Sequence, residues 1–427
     1  MPFYSLLLIL LCFFSNSLRG QSGDYPVFRN YDYIYQDNIK SVRFHLSDSK
    51  IDYPIIELGS PGYFIFSFDD LDAYTKDYSY KIIHCDAQWE PSEELDALDY
   101  IDGYQENRFY EAKNAFSTRV PYTHYEITLP NTDVKWTKSG NYLLKVYQDS
   151  EEEDLIITRR FMVVDTKMKI VPQLRRSATP PNSMSHQELF FKVQHVGVSI
   201  GNVQEQITPV VLQNGRWDNA ITDLTPTYIQ QEEIGFEQQM AVQFPGYKEF
   251  RPLDLRSFLY ATIQVERIEQ YKEGFELWLF EDVSRRYTSH VFTHDLNGKF
   301  FIESRDGRES KLQGEYGIIH FSLKATTPYA GKVYLLGGFN DFQPHPSFVM
   351  RYNKECLCYK LPTTLKNGFY DYYYGVVPEG GNALDIQMIE GSSYETENDY
   401  VFLVYYRSYG GLYDQLVAVQ KHNTRPN

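Results

Sequence analysis

Short runs of aromatic and β-branched residues, cut repeatedly by Gly, Pro, Asn and Asp clusters, recur along the whole chain and leave little room for long amphipathic helices. In the first third, "YFIFSFDDL" (63–71), "YSYKIIHCDAQW" (78–89), "THYEITLP" (123–130), "GNYLLKVYQD" (140–149) and "IITRRFMVVD" (156–165) follow one another. Their spacing predicts an antiparallel sandwich, with "SGN" at 139–141 as a turn. Only short stretches such as "PSEELDALDYIDGY" (91–104) read as helical. Tyr (37) and Phe (28) supply nearly all of the aromatic content, and broad rigid side chains favour pleated, half-buried surfaces.

A length of 427 residues allows two to four domains. The Pro-, Ser- and Thr-rich stretch near 165–185 loses periodicity and reads as a boundary. Strands resume with "QELFFKVQHVGV" (187–198), "ITPVVLQNGRWDNA" (207–220) and "LYATIQVER" (259–267), and a second break falls in 301–317. In the late run "DYVFLVYYRS", Tyr400, Phe402, Val404 and Tyr406 share one face. The expected fold is all-β: three tandem immunoglobulin-like or early-set sandwiches over 24–165, 166–305 and 306–420. Residues 1–20 resemble a secretory signal peptide with cleavage near Gly20–Gln21. Removing them takes Arg19 and moves the formal charge from −16 to −17. No other run has the length of a membrane-spanning helix. The acidic balance argues against nucleic acid or an anionic membrane surface as the main partner.

Reactive letters are concentrated in "YKIIHCDAQWEPS" (80–92), where His84, Cys85 and Asp86 precede Trp89. They are ingredients of a thiol hydrolase, a metal site or a redox centre. Side chains alternate along a strand, so His84 and Cys85 face opposite ways and cannot form a thiolate–imidazolium pair. His84 and Asp86 give at most two ligands, and no second cluster has ligand spacing. The segment therefore reads as a strand carrying a core thiol and a structural histidine.

"FSFDDLD" (66–72) ends a strand in Asp69, Asp70 and Asp72. Their spacing does not match a calcium loop, and a turn cap is expected. In "QNGRWDNA" (213–220), Arg216 and Trp217 have hot-spot composition, but Asn214–Gly215 is a tight-turn pair and the segment reads as structural. Catalytic and nucleotide-binding motifs are absent. Paired carboxylates for glycoside hydrolysis stay open, because their separation is spatial. Cys356 and Cys358, two apart in "KECLCYKL", would sit about 6.5–7 Å apart at Cα in a strand, so they and Cys85 are expected as free thiols. No catalytic, metal or cofactor residue is assigned.

Several stretches together carry a resemblance. They are "YDYIYQDNIKSV" (31–42), "IIHCDAQWEPS" (82–92), "PYTHYEITLPN" (121–131), "QNGRWDNA" (213–220), "EFRPLDLRS" (249–257), "GFYDYYYG" (368–375) and "IEGSSYETENDYVFLVYYR" (389–407). In order and content they resemble the plug proteins of the Bacteroidetes type IX secretion system, formerly a domain of unknown function. The resemblance implies a non-enzymatic periplasmic protein at the inner face of the outer membrane. Its partner would be the giant translocon β-barrel, whose periplasmic opening it closes when no substrate is engaged. No cofactor is implied, and no interface residue carries over. The acidic charge then predicts a partner offering basic groups, or a docking surface less acidic than the remainder.

A second likeness is confined to the end of the chain. "VYLLGGFNDFQPHPSFVMRYN" (333–353) followed by "GFYDYYYGVV" is similar to early-set domains of starch-branching and glycogen-binding proteins, with Phe342 where a Trp is expected. It implies a related fold and supports the alternative of a carbohydrate-binding or glycan-processing accessory protein.

Overall fold

The computed structural model describes residues 26–149, 151–177, 179–180 and 182–425; the signal-like segment 1–20 lies outside them. Strands dominate and the fold is all-β; among the described residues the three α-helices have four residues each, one of them Ala97–Tyr100 within the stretch read as helical.

Seven main strands build the first sandwich. Its outer sheet orders Ile39–Leu46, Phe64–Asp70, Thr123–Leu129 and Ala112–Asn114. Its inner sheet centres on Leu155–Val164, Gly140–Gln148 and Tyr78–Cys85. Alternation sends Phe64, Phe66 and Phe68 from one sheet against Tyr80, Ile82, Tyr142, Leu144 and Phe161 from the other. The rings stack, Phe68 on Tyr125 at 5.1 Å and Tyr142 on Phe161 at 5.2 Å, so the aromatic excess of the sequence is core.

Beyond the first sandwich the strands pair differently from the linear division 166–305 and 306–420. Ile207–Gln213 pairs with Asp399–Tyr406, which pairs with Gln415–Asn423, and this sheet covers the one led by Lys169–Arg176 and His186–Gln194. The chain's last strands therefore complete the middle sandwich. Val265–Gln270 and Phe275–Leu279, expected in the middle unit, join Tyr316–Lys324 and Cys358–Lys366 in the last one. Opposite them lies a sheet centred on Gly368–Pro378. The last sandwich is thus inserted in the middle one, between Pro245 and Asp399.

The two crossings lie side by side. Asn398 Nδ2 donates to the Gly246 carbonyl at 3.0 Å, and Thr396 Oγ1 to that of Tyr247 at 2.9 Å. A Cβ on Gly246 would fall 1.9 Å from the Ser393 carbonyl oxygen, so the close approach requires glycine there.

One thiol expectation is corrected. Cys85 is free and buried, but Cys356 and Cys358 form a disulfide. Cys356 lies in the turn between Arg351–Asn353 and Cys358–Lys366. There Leu357 takes φ +52° and the Cα atoms come to 5.3 Å, closer than a strand allows.

The inner sheet of the first sandwich is apolar on both faces. Its second face presents Cys85, Leu143, Met162 and Val164 to Val210, Leu212, Val401 and Leu403 of the middle sandwich. Within "DYVFLVYY", Tyr400, Phe402 and Val404 enter the middle core and Tyr406 packs against it, while Val401, Leu403 and Tyr405 enter this seam. We expect Leu403→Ala to cost about 2–5 kcal/mol. In urea the fluorescence of Trp89 and Trp217, which flank the seam, should shift together with far-UV circular dichroism. A first sandwich that unfolds at an unchanged midpoint would refute the coupling.

Candidate functional site

His84 points into the first core, within 5.0–5.6 Å of the Tyr100, Tyr142 and Tyr413 rings. Its Nδ1 accepts from the Ser92 hydroxyl at 2.8 Å and its Nε2–H donates to the Ser139 carbonyl at 3.2 Å, so the neutral ring is satisfied on both sides. Burial pushes its pKa down to about 4. Cys85 faces the opposite way, into the seam, and burial pushes its thiol above the ordinary range. Asp86 accepts the backbone N–H groups of Gln88 and Glu90, both at 2.9 Å. The strand separates the three reactive groups rather than bringing them together.

The "FDDLD" carboxylates have different duties. Asp70 holds the turn: it accepts from Asp72 N at 2.9 Å and from Tyr78 OH at 2.9 Å, and Lys76 pairs with it at 2.9 Å. Asp69 sits on the other face of its strand, which is turned towards the last sandwich. Its Oδ1 meets His124 Nδ1, a cross-strand neighbour, at 2.6 Å. Its Oδ2 accepts from Lys366 Nζ and Tyr316 OH, both at 2.7 Å and both from the last sandwich.

Lys366 also donates to the Lys311 carbonyl at 2.9 Å and lies 4.0 Å from the centre of the Tyr122 ring. Burial pushes the Asp69 carboxyl up, but the Lys366 ammonium and the His124 hydrogen bond outweigh it and hold its pKa below the usual range. Nothing in the sequence marked Lys366 or Tyr316 as partners of Asp69, which lies 297 positions from Lys366.

Arg216 and Trp217 also join sandwiches to one another. Asn214 and Gly215 both take positive φ, as a two-residue hairpin turn needs. A Cβ on Gly215 would sit 2.0 Å from the Tyr53 ring of the first sandwich. Trp217 meets Trp89 edge to face at 5.0 Å, and the Arg160 guanidinium lies over both rings. Arg216 forms a forked pair with Asp218 and lies 4.6 Å from the ring centre of Phe342. Phe342, where the early-set pattern has Trp, is buried against Phe250. Among the described residues, no group of three or more His, Cys, Asp or Glu is placed to hold a metal ion.

Comparison with known proteins follows the same outline. The family model for the type 9 secretion system plug protein 1st domain matches residues 39–165, the span of the first sandwich. The chain is also similar to a hypothetical protein from Parabacteroides merdae of known crystal structure, at 30% identity and a TM-score of 0.88. That match covers 92% of this chain and 99% of the other. No curated protein matches.

Two outcomes are expected from these contacts. Lys366→Met should cost about 3–5 kcal/mol by leaving the buried Asp69 without its ammonium partner. Adding Asp69→Asn should recover part of that loss in urea unfolding, and a double variant as unstable as the sum of the singles would refute the pairing. His84 contributes stability that is complete above its unfolded pKa near 6.5 and lost as pH falls towards 4, where the unfolded state binds a proton the folded one refuses. The loss amounts to about 3 kcal/mol. His84→Gln should flatten that acid limb, and an unchanged limb would show that His84 titrates normally.

Proposed function

The chain belongs to the plug protein family of the type IX secretion system, and from that premise we propose that it is a non-enzymatic periplasmic plug. It binds the giant translocon β-barrel at the inner face of the outer membrane and closes its periplasmic opening when no substrate is engaged. The observation that carries this reading is mechanical. Each sandwich contacts both others through buried side chains, at the Leu143–Leu403 seam, the Asp69–Lys366 pair and the Arg216–Phe342 contact. A stopper must hold its shape against a wide opening, and a body closed on itself in this way does so.

A glycan-binding alternative needs a planar aromatic face open to sugar. The four tryptophans do not supply one. Trp89 and Trp136 are buried, Trp217 is covered by Arg160 and Trp89, and Trp278 is held between Arg267 and His320.

The test is affinity purification of the tagged chain from gently solubilised outer membranes, with mass spectrometry of what accompanies it. Stoichiometric recovery of a very large outer-membrane β-barrel is expected. Recovery of the chain alone, or only with sugar-utilisation proteins, would overturn the reading.

A further inference from the structure

Where the three sandwiches meet they leave a cavity of about 750 Å³, within the size range of small-molecule sites. The chain as a whole has 57 acidic and 41 basic side chains. The cavity reverses that balance: seven of its lining residues are Lys or Arg and four are Asp.

Much of this charge is paired. Arg159 pairs with Asp341 at 3.3 Å and Arg216 with Asp218 at 2.6 Å. Lys299 reaches Asp399 at 3.4 Å, Lys50 reaches Glu303 at 4.0 Å, and Asp52 is taken by Lys421. Among the described residues, Arg29, Arg43 and Arg160 are left without a carboxylate in ion-pair contact. Asp32 is the lining carboxylate left to oppose them. The cavity therefore holds an excess of two positive charges inside a negatively charged protein.

Arg43 and Arg160 are the informative pair. The Arg43 Nη groups donate to the carbonyls of Phe300 and Lys50, both neutral acceptors. With no anion beside it, burial lowers the Arg43 pKa to about 10. Arg160 Nε donates to the Asn30 carbonyl at 3.1 Å, and its guanidinium lies 4.6 Å and 5.2 Å from the ring centres of Trp89 and Trp217. Its Nη groups have no hydrogen-bond partner among the described residues. Withdrawing cations from water without anions is costly, and a guanidinium lying over aromatic rings offers its fork to a carboxylate or phosphate. An inorganic ion would fill little of this volume, whereas Tyr53, Trp217, Phe300 and Phe342 give an organic body apolar walls.

We propose that the cavity binds a small organic dianion, a phosphate monoester or a dicarboxylate, through Arg43 and Arg160. Its walls come from all three sandwiches, so the ligand also braces them against one another, and binding raises the thermal midpoint.

The test is isothermal titration of the purified chain at low ionic strength with D-glucose 6-phosphate, L-malate and D-glucose. At least one charged probe should bind with a Kd below 1 mM (about tenfold or more tighter than glucose), weaken as salt is added, and raise the thermal midpoint. Arg43→Gln and Arg160→Gln should each weaken it about tenfold or more, roughly the loss of one charge-assisted hydrogen bond. If a Gln variant does not fold, Arg43→Lys or Arg160→Lys takes its place; each keeps the charge, loses the fork, and should bind more weakly than the parent. Absence of binding by both charged probes at 10 mM would overturn the site. So would glucose binding as tightly, or unchanged affinity in folded variants at both positions.

Discussion

A sheet with two apolar faces cannot be the surface of anything, and the rest of the structure follows from that constraint. In Gly140–Gln148, Tyr142, Leu144 and Val146 fill the first core, while Leu143 points the other way. Leu155–Val164 does the same with Phe161 and Met162. Covering the second face needs another sheet that is itself apolar on both sides, and Asp399–Tyr406 with Ile207–Gln213 supplies it. Four β layers result, and the contact between the first two sandwiches has the character of a domain core more than of a docking surface.

The contact with the last sandwich is built on a different principle. Asp69, His124, Lys366 and Tyr316 bring charge and polarity into a place closed to water. Burying such groups costs about as much as their attraction returns, so the pair adds little net stability. What it adds is geometry: Lys366 reaches Asp69 and the Lys311 carbonyl together in one position, and a shifted interface leaves a bare charge. The apolar seam holds the first two sandwiches together, and the polar one fixes where the third sits.

The first sandwich was legible because its strands are consecutive, and alternation alone placed His84 and Cys85 on opposite faces. The middle and last sandwiches were not, because Ile207–Gln213 finds its partner 187 or more positions later and no local signal marks an insertion. The uninterrupted apolar run of "DYVFLVYY" was the one available hint: a strand with a solvated face would alternate, and this one does not. The disulfide was missed because a turn, not a strand, carries Cys356. The cavity arginines were unreadable, since Arg43 and Arg160 sit in strands where half-buried cations are usually surface residues.

The insertion also limits motion. Sandwiches strung on single linkers move freely unless their interface is large. Here the last sandwich leaves and re-enters the middle one through two adjacent chain segments tied to each other by Asn398 and Thr396, so rotation about either crossing is blocked by the other. It is then held to the first sandwich by the Asp69 cluster, which closes the ring of contacts. To open any one contact, a second must give way with it. A load applied at one face is therefore shared by a hydrophobic seam, a buried ion pair and a double crossing, which resist deformation by different physics. Heat and salt weaken these contacts unequally, but the body changes shape only when more than one has failed.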